Sequence, residues 1–213
     1  MKIIGLCGKR QSGKDTFAEF GVVHAFALDK KVAITSFASP IKRFVQDYCG
    51  IPMQNLDGTN QQKDEIVGTW GQFFNESICS KYSKVSTSPV SGRNLLQVYG
   101  TDIFRNVNPD FWIDLLETRI KRNEFDKYGN SEKPDIVFVT DVRFQNEVEK
   151  IRSMGGHVIK LDRAQFTDSH ASEAAIDTIP EELFKAVYRR EDIDGLDVLN
   201  QVVEQEIISH SFD

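Results

Sequence analysis

The nine residues GKRQSGKDT, from Gly8 to Thr16, constrain this chain more than any other stretch. They fit G-x-x-x-x-G-K, with Asp-Thr where Ser or Thr usually follows the lysine. The flanks fit as well. Ile3 to Cys7 is nearly all apolar, the pattern of a strand covered on both faces, and Phe17, Phe20, His24, Ala27 and Leu28 recur at helical period between about Lys14 and Asp29. A strand, a glycine-bearing turn and a helix together make a phosphate-binding loop. Backbone N–H groups and the helix N-terminus surround an anion there, and glycine at Gly8 and Gly13 permits backbone shapes that a Cβ would block. Ser12, Lys14 and Thr16 supply the polar side chains, with Lys14 a point charge between β- and γ-phosphates. Asp15 is the departure. A carboxylate beside a triphosphate is repelled unless a cation lies between, which makes Asp15 a direct or water-mediated Mg²⁺ contact or, more simply, an acid paired with the helix dipole.

The rest of the chain alternates strands and helices. KVAITSF (from Lys31), DIVFVTD (from Asp135) and HVIKLDR (from His157) read as buried strands, with a weaker one near Phe184 to Arg189. Helices are expected through Ile41, Phe44, Val45 and Tyr48; over RNLLQVYGTDIFR despite Gly100; from about Asn146 to Met154; and from about Leu196 to Ile208. Another is expected to start at Asn108-Pro109-Asp110, burying Trp112, Leu115, Leu116 and Ile120 and leaving Arg119, Lys121 and Arg122 solvated. This order predicts an α/β fold with a mostly parallel five-stranded sheet and helices on both faces. We expect a single domain over residues 1–213, with an irregular or partly helical substrate-binding insertion at about 50–92, rich in Gln, Asn, Ser, Thr and Gly.

Composition excludes several alternatives. The 26 basic and 32 acidic side chains leave a net charge of −6, a poor match to a phosphate backbone. No apolar run approaches about 18 residues, the mean hydropathy is −0.36, and the N-terminal residues lack a signal-peptide core. Cys7, Cys49 and Cys79 are odd in number and far apart, which argues against a disulfide framework or a zinc site. A cytoplasmic protein with neither a nucleic-acid polymer nor a membrane as partner is the expectation.

Asp141 closes an apolar strand, as in a Walker-B segment that holds Mg²⁺ or its water shell. Arg143 and Glu147 follow it and could line the same strand end. Arg93, Gln97 and Thr101 fall at i, i+4 and i+8 and would share one helical face, offering a cation, an amide and a hydroxyl to a polar ligand. Arg163, just past a strand, could close over ATP phosphates or form a surface salt bridge. Trp112 could equally pack in the core or stack on a ligand.

GKRQSGKDT, SGRNLLQVYGTDIFR, FWID, VTDVRFQNEVEKI and HASE together resemble the phage-type deoxynucleoside monophosphate kinases, within the P-loop nucleoside-monophosphate-kinase-like group. The resemblance runs from the N-terminus to about Glu173. It implies transfer of the ATP γ-phosphate to a dNMP, giving ADP and dNDP, with Mg²⁺ as cofactor and a homodimer in the cytoplasm, that of the host if the gene is a bacteriophage's. Ser12, Lys14, Asp15 and Thr16 match the family's phosphate and metal loop, and Arg93, Gln97, Gly100 and Thr101 its monophosphate segment. Trp112 matches an aromatic near the base or the site wall, and Asp141, Arg143 and Glu147 a catalytic and acceptor-binding set. His170, Ser172 and Glu173 match a segment near a lid. Asn94 departs from the pattern, since a basic residue is frequent there. Two rivals are a phosphomevalonate-kinase-like enzyme, which also carries a Gly-Lys-Asp loop, and a nucleotide-binding regulatory module without transfer activity.

Overall fold

The computed structural model describes residues 1–129, 132–163 and 171–209, with the side chains of 171–173 and 209 outside that description. In chain order the elements are β1 (Lys2–Cys7), α1 (Lys14–Ala27), β2 (Val32–Thr35), α2 (Ser39–Cys49), α3 (Gln54–Asp57), α4 (Asn60–Asp64), β3 (Ile66–Thr69), α5 (Trp70–Phe73), α6 (Glu76–Lys81), β4 (Pro89–Ser91) and α7 (Gly92–Gln97). A π-helix over Val98–Arg105 follows, then α8 (Phe111–Lys121), β5 (Ile136–Val142), α9 (Gln145–Ser153), β6 (His157–Asp162), α10 (Ala171–Asp177), β7 (Ala186–Arg189) and α11 (Leu196–Ser209). Contacts divide the chain into two compact units, one from residues 1–37 and 113 onward, the other Ala38–Trp112.

The first unit carries a five-stranded sheet in the order β2-β5-β1-β6-β7, parallel at every pairing. Its strands are buried runs because helices cover both faces. On one face Phe17, Ala18, Val22 and Ala25 of α1 and Leu199, Val203 and Ile207 of α11 close over Ile4, Leu6, Ile34, Phe138, Ile159 and Leu161. On the other, Ile151 of α9 lies over Gly5, where an added Cβ would sit 2.7 Å from its Cδ1. The expected α/β architecture is therefore what the chain adopts. None of the described helices is long and apolar enough to cross a membrane.

Two local expectations need correction. Helix α8 begins at Phe111 rather than at Pro109, although the Asn108 carboxamide accepts the Asp110 N–H at 3.0 Å as a capping side chain does. Arg119 is not solvated: it is 5% exposed, bonded to Asp126 at 2.8 Å and to the Thr35 hydroxyl at 3.3 Å. Its charge faces inward because the chain turns after α8 and brings Asp126 back to it.

In the second unit, β3 and β4 form an antiparallel pair and the remaining stretch is broken into short helices. The Thr59 hydroxyl accepts the Gln62 N–H while the Gln62 carboxamide oxygen accepts the Thr59 N–H, so this short helix start is satisfied locally. From Val98 the helix widens to π turns, pinned by the Trp112 indole N–H donating to the Gly100 carbonyl at 2.7 Å.

Candidate active site

The phosphate loop is built at the carboxyl end of β1. Gly8 has φ +151°, and an added Cβ there would lie 2.5 Å from the Ser12 Oγ and 2.6 Å from the Leu161 carbonyl oxygen. Gly13, at φ 96°, is the N-cap of α1, whose first full turn closes with the Phe17 N–H on the Gly13 carbonyl at 2.8 Å. Both glycines adopt positive φ, and at Gly8 a side chain would collide with the loop's own Ser12 and with β6, so the loop's path depends on them as a phosphate-binding turn does. Ser12 is fully buried. The Lys14 ammonium bends back over the loop and donates to the Lys9 carbonyl at 2.7 Å and the Ser12 Oγ at 3.3 Å. Held there, it marks where an anion's oxygens would replace backbone and hydroxyl acceptors. Asp15 is exposed and Thr16 half-buried in the first turn. Arg163 stands beside the loop, its Nη1 3.5 Å from the Cβ position of Gly13, and Lys9 is paired with Asp177 of α10 at 2.7 Å.

Parallel pairing sets the Walker-B segment level with this loop. Cys7 is in register with Val142, so Asp141 and Arg143 flank the residue opposite the start of the cradle. One Asp141 oxygen accepts the Phe37 N–H at 2.7 Å, which orients the carboxylate at the strand end. Glu147 differs. It is 1% exposed and one of its oxygens accepts the N–H groups of Arg143 and Phe144 at 2.8 and 3.1 Å, capping α9 and fixing the turn that carries Arg143. Cys7 lies among Lys160, Lys14, Glu147 and Arg143, yet burial outweighs their fields and pushes its thiol up to about 12. It is a packing residue beneath the site.

The acceptor candidates lie in the second unit. Arg93, the second residue of α7, has its Nε 2.5 Å from Asp64 and its Nη2 3.2 Å from Asn60. Arg93 and Gln97 lie one turn apart in α7, and Thr101 follows in the π-helical segment Val98–Arg105. Gly100 is buried, its carbonyl taken by Trp112. Trp112 is 4% exposed between Phe104 and Phe111, with ring centroids at 5.2 and 4.7 Å, so its surface is spent on packing. His170 and the side chains of Ser172 and Glu173 lie outside the described residues.

The site residues fit the cofactors that such a loop implies. The cradle fits a polyphosphate. Among the described residues no group of three His, Cys, Asp or Glu side chains could hold a metal. Asp15 and Asp141 are the carboxylates beside the loop that a Mg²⁺ accompanying a bound polyphosphate would use. No signal in the sequence pointed to a further contact: Lys127 and Tyr128 both bond Glu19 on the flank of α1 that also bears Asp15.

A parallel sheet in this strand order, a phosphate loop after β1 and an acidic strand end at β5 define a P-loop kinase fold. A model of the deoxynucleotide monophosphate kinase family matches residues 50–184, well over half of the chain. The chain belongs to that family. A protein of Acanthamoeba polyphaga mimivirus, provisionally named a deoxynucleotide monophosphate kinase, is 28% identical over 189 residues, 84% of this chain and 84% of that protein. The deoxynucleoside-5'-monophosphate kinase of Escherichia phage T5 is 24% identical over 190 residues, 70% of this chain and 71% of that enzyme. Among solved structures, a shikimate kinase from Acinetobacter baumannii in complex with shikimate aligns over 100% of this chain and 96% of that one, at 14% identity and a TM-score of 0.43.

Proposed function

We propose that this kinase moves the γ-phosphoryl group of ATP to a deoxynucleoside monophosphate, with the residues from Gly8 to Thr16 as its donor site. The observation that carries the reading is the Gly8–Thr16 cradle with Lys14 folded over it, in a chain whose residues 50–184 match the dNMP kinase family. ATP supplies the phosphoryl group, and Mg²⁺ spreads the negative charge of the transferring phosphates.

Each residue then has a task. The amides of Gly13 to Thr16 and the Lys14 ammonium hold the β- and γ-phosphates, and Ser12 keeps the loop closed from beneath. Thr16 donates to a phosphate oxygen, and Asp15 and Asp141 bind the cation directly or through water. Arg163 neutralises the donor phosphates from the side. Arg93, with Gln97, Gly100 and Thr101, holds the monophosphate, and Arg143 offsets repulsion between the two anions. Glu147 acts through the turn it caps, and Trp112 through the wall it packs. No side chain has to remove a proton, since a phosphate monoester oxygen is a competent nucleophile at neutral pH. Action as a cytoplasmic homodimer belongs to the same proposal, and light scattering reads the oligomeric state.

The test is ADP release with Mg²⁺ across all common dNMPs and NMPs. We expect release that depends on a dNMP. Release that depends on an isoprenoid phosphate instead, or tight ATP binding with no acceptor-dependent turnover, overturns the reading.

A further inference from the structure

The outer edge of β2 is covered by the chain that follows α8. The Ile34 N–H donates to the Lys127 carbonyl at 3.0 Å, and the Ile34 carbonyl accepts the N–H groups of Asp126 and Lys127 at 2.9 and 3.1 Å. Arg119 anchors the same segment through Asp126. Backbone pairing therefore already protects the sheet edge, and the side chains of this strap are available for something else. Two of them reach α1: the Lys127 ammonium donates to Glu19 Oε1 at 2.8 Å and the Tyr128 hydroxyl to Oε2 at 2.6 Å. Tyr128 adopts φ 59°, and its ring meets Phe26 edge-on at 6.1 Å. A strained backbone angle held by ring and hydroxyl contacts fixes where Lys127 projects.

Glu19 lies four residues after Asp15, so both carboxylates share one flank of α1. Two like charges at that spacing repel each other and over-attract cations. The backbone that bears the opposing ammonium is set by main-chain pairing to β2, and the ammonium itself is held by Glu19. The three groups feel one another: the hydrogen bond that Lys127 donates to Glu19 and, more weakly, the Asp15 carboxylate raise the Lys127 pKa, and the bonds from Lys127 and then Tyr128 lower that of Glu19.

We propose that Lys127 is a positioning residue of the donor site, balancing the Asp15–Glu19 flank of α1 and so setting how tightly the divalent cation of the nucleotide is held. The inference rests on Asp15 contacting that cation. Lys127 lowers cation affinity in exchange for admitting the ATP polyanion. A unit charge within about one Debye length of a divalent ion, in a largely aqueous dielectric with physiological salt, changes its affinity by about threefold.

The experiment is Mn²⁺ binding to the full chain saturated with ADP, read by electron paramagnetic resonance. Lys127→Met tightens Mn²⁺ by about threefold, Glu19→Gln loosens it by a similar factor, and the double variant, restored to the original charge, returns to about the parent affinity. Lys127→Arg behaves as the parent. An unchanged affinity in Lys127→Met, or single variants that shift in the same direction, overturns the proposal and leaves the strap a purely structural element. Should Lys127→Met fold poorly by circular dichroism, Glu19→Gln keeps the ammonium in place and decides the matter instead: looser Mn²⁺ binding supports the charge balance, and unchanged binding overturns it. Asp15→Asn separates the two claims. If it leaves Mn²⁺ binding unchanged, the metal assignment fails; if it weakens binding while Lys127→Met does nothing, only the role of Lys127 fails.

Discussion

Gly21→Ala sets two effects of known size against each other inside the helix that carries the phosphate loop. Alanine in place of glycine within a helix gains about 1 kcal/mol. At this position, though, the new Cβ would lie 2.3 Å from Cζ of Phe138 and 2.9 Å from its Cε2. Ordinary carbon contacts are about 3.5–4.0 Å, so ring and helix must separate by more than about 1 Å. Phe138 is fully buried on β5, in the middle of the core beneath α1, and has no solvent to move into. Overpacking of this kind costs about 1–3 kcal/mol, and a clash this deep belongs at or above the top of that range. The clash wins, and we expect Gly21→Ala to lose about 2 kcal/mol net. Urea unfolding should be followed by far-ultraviolet circular dichroism, since Trp70 and Trp112, the two tryptophans, both lie in the other unit. The transition midpoint falls with an unchanged slope. Because α1 presents Lys14 and Asp15 from its first turn, its displacement also raises the KM for ATP. Phe138→Leu in the same chain makes room and recovers at least about 1 kcal/mol as a coupling energy in the double-mutant cycle. A Gly21→Ala protein as stable as the parent, or a cycle with no coupling, refutes the packing argument.

Three further outcomes follow from the same geometry. Lys14→Met lowers kcat by about 10²–10³ with an unchanged circular dichroism spectrum, and Arg143→Ala does likewise; near-parental turnover in both removes the donor-site assignment. Arg119→Met removes the ion pair with Asp126, and since that carboxylate keeps 23% exposure and can hydrate, the loss in urea unfolding is about 2 kcal/mol rather than the larger cost of a fully buried pair. Cys7, whose thiol burial pushes up to about 12 from 9.0, is alkylated at pH 8 far more slowly than half-buried Cys49, as peptide mapping will show. A raised thiol pKa contributes stability that is complete below pH 9.0 and is lost as pH rises toward 12, so part of the alkaline loss of stability should vanish in Cys7→Ala.

The sheet was legible because its strands announce themselves. IVFVTDV and the run Ile3 to Cys7 are continuous β-branched or apolar stretches, which only a strand covered on both faces needs, and the spacing of helices between them leaves parallel crossovers as the solution. The phosphate loop was legible because glycine spacing, lysine and flanking elements are all local. What stayed hidden depends on contacts made at a distance. Arg119 reads as one more exposed basic residue at the end of a helix until the turn brings Asp126 back. The π turns after Val98 use residues that suit an α-helix equally well, and the indole of Trp112 that pins them lies 12 positions from Gly100. In the 50–92 stretch a usable signal was present. Thr-x-x-Gln at Thr59 and at Thr69 is a capping-box pattern, and the Gln72 carboxamide accepts the Thr69 N–H at 2.7 Å.

The carboxylates near the loop show why spacing alone could not assign them. Asp15, Asp141 and Glu147 are all acids close to a phosphate site, and each satisfied a motif. Structure ranks them by what already claims their oxygens. Asp15 is exposed at a helix start. Asp141 is half-buried and one of its oxygens accepts the Phe37 N–H, which orients the carboxylate at the strand end. Glu147 is buried, with two backbone N–H groups on one oxygen, a commitment worth more to the fold than to a passing cation. Breaking it would remove two hydrogen bonds from half-buried donors, at about 1 kcal/mol each. Ligand capacity therefore falls in the order Asp15, Asp141, Glu147. Asparagine or glutamine at each should lower cation affinity in that order, while lost stability rises in the same order.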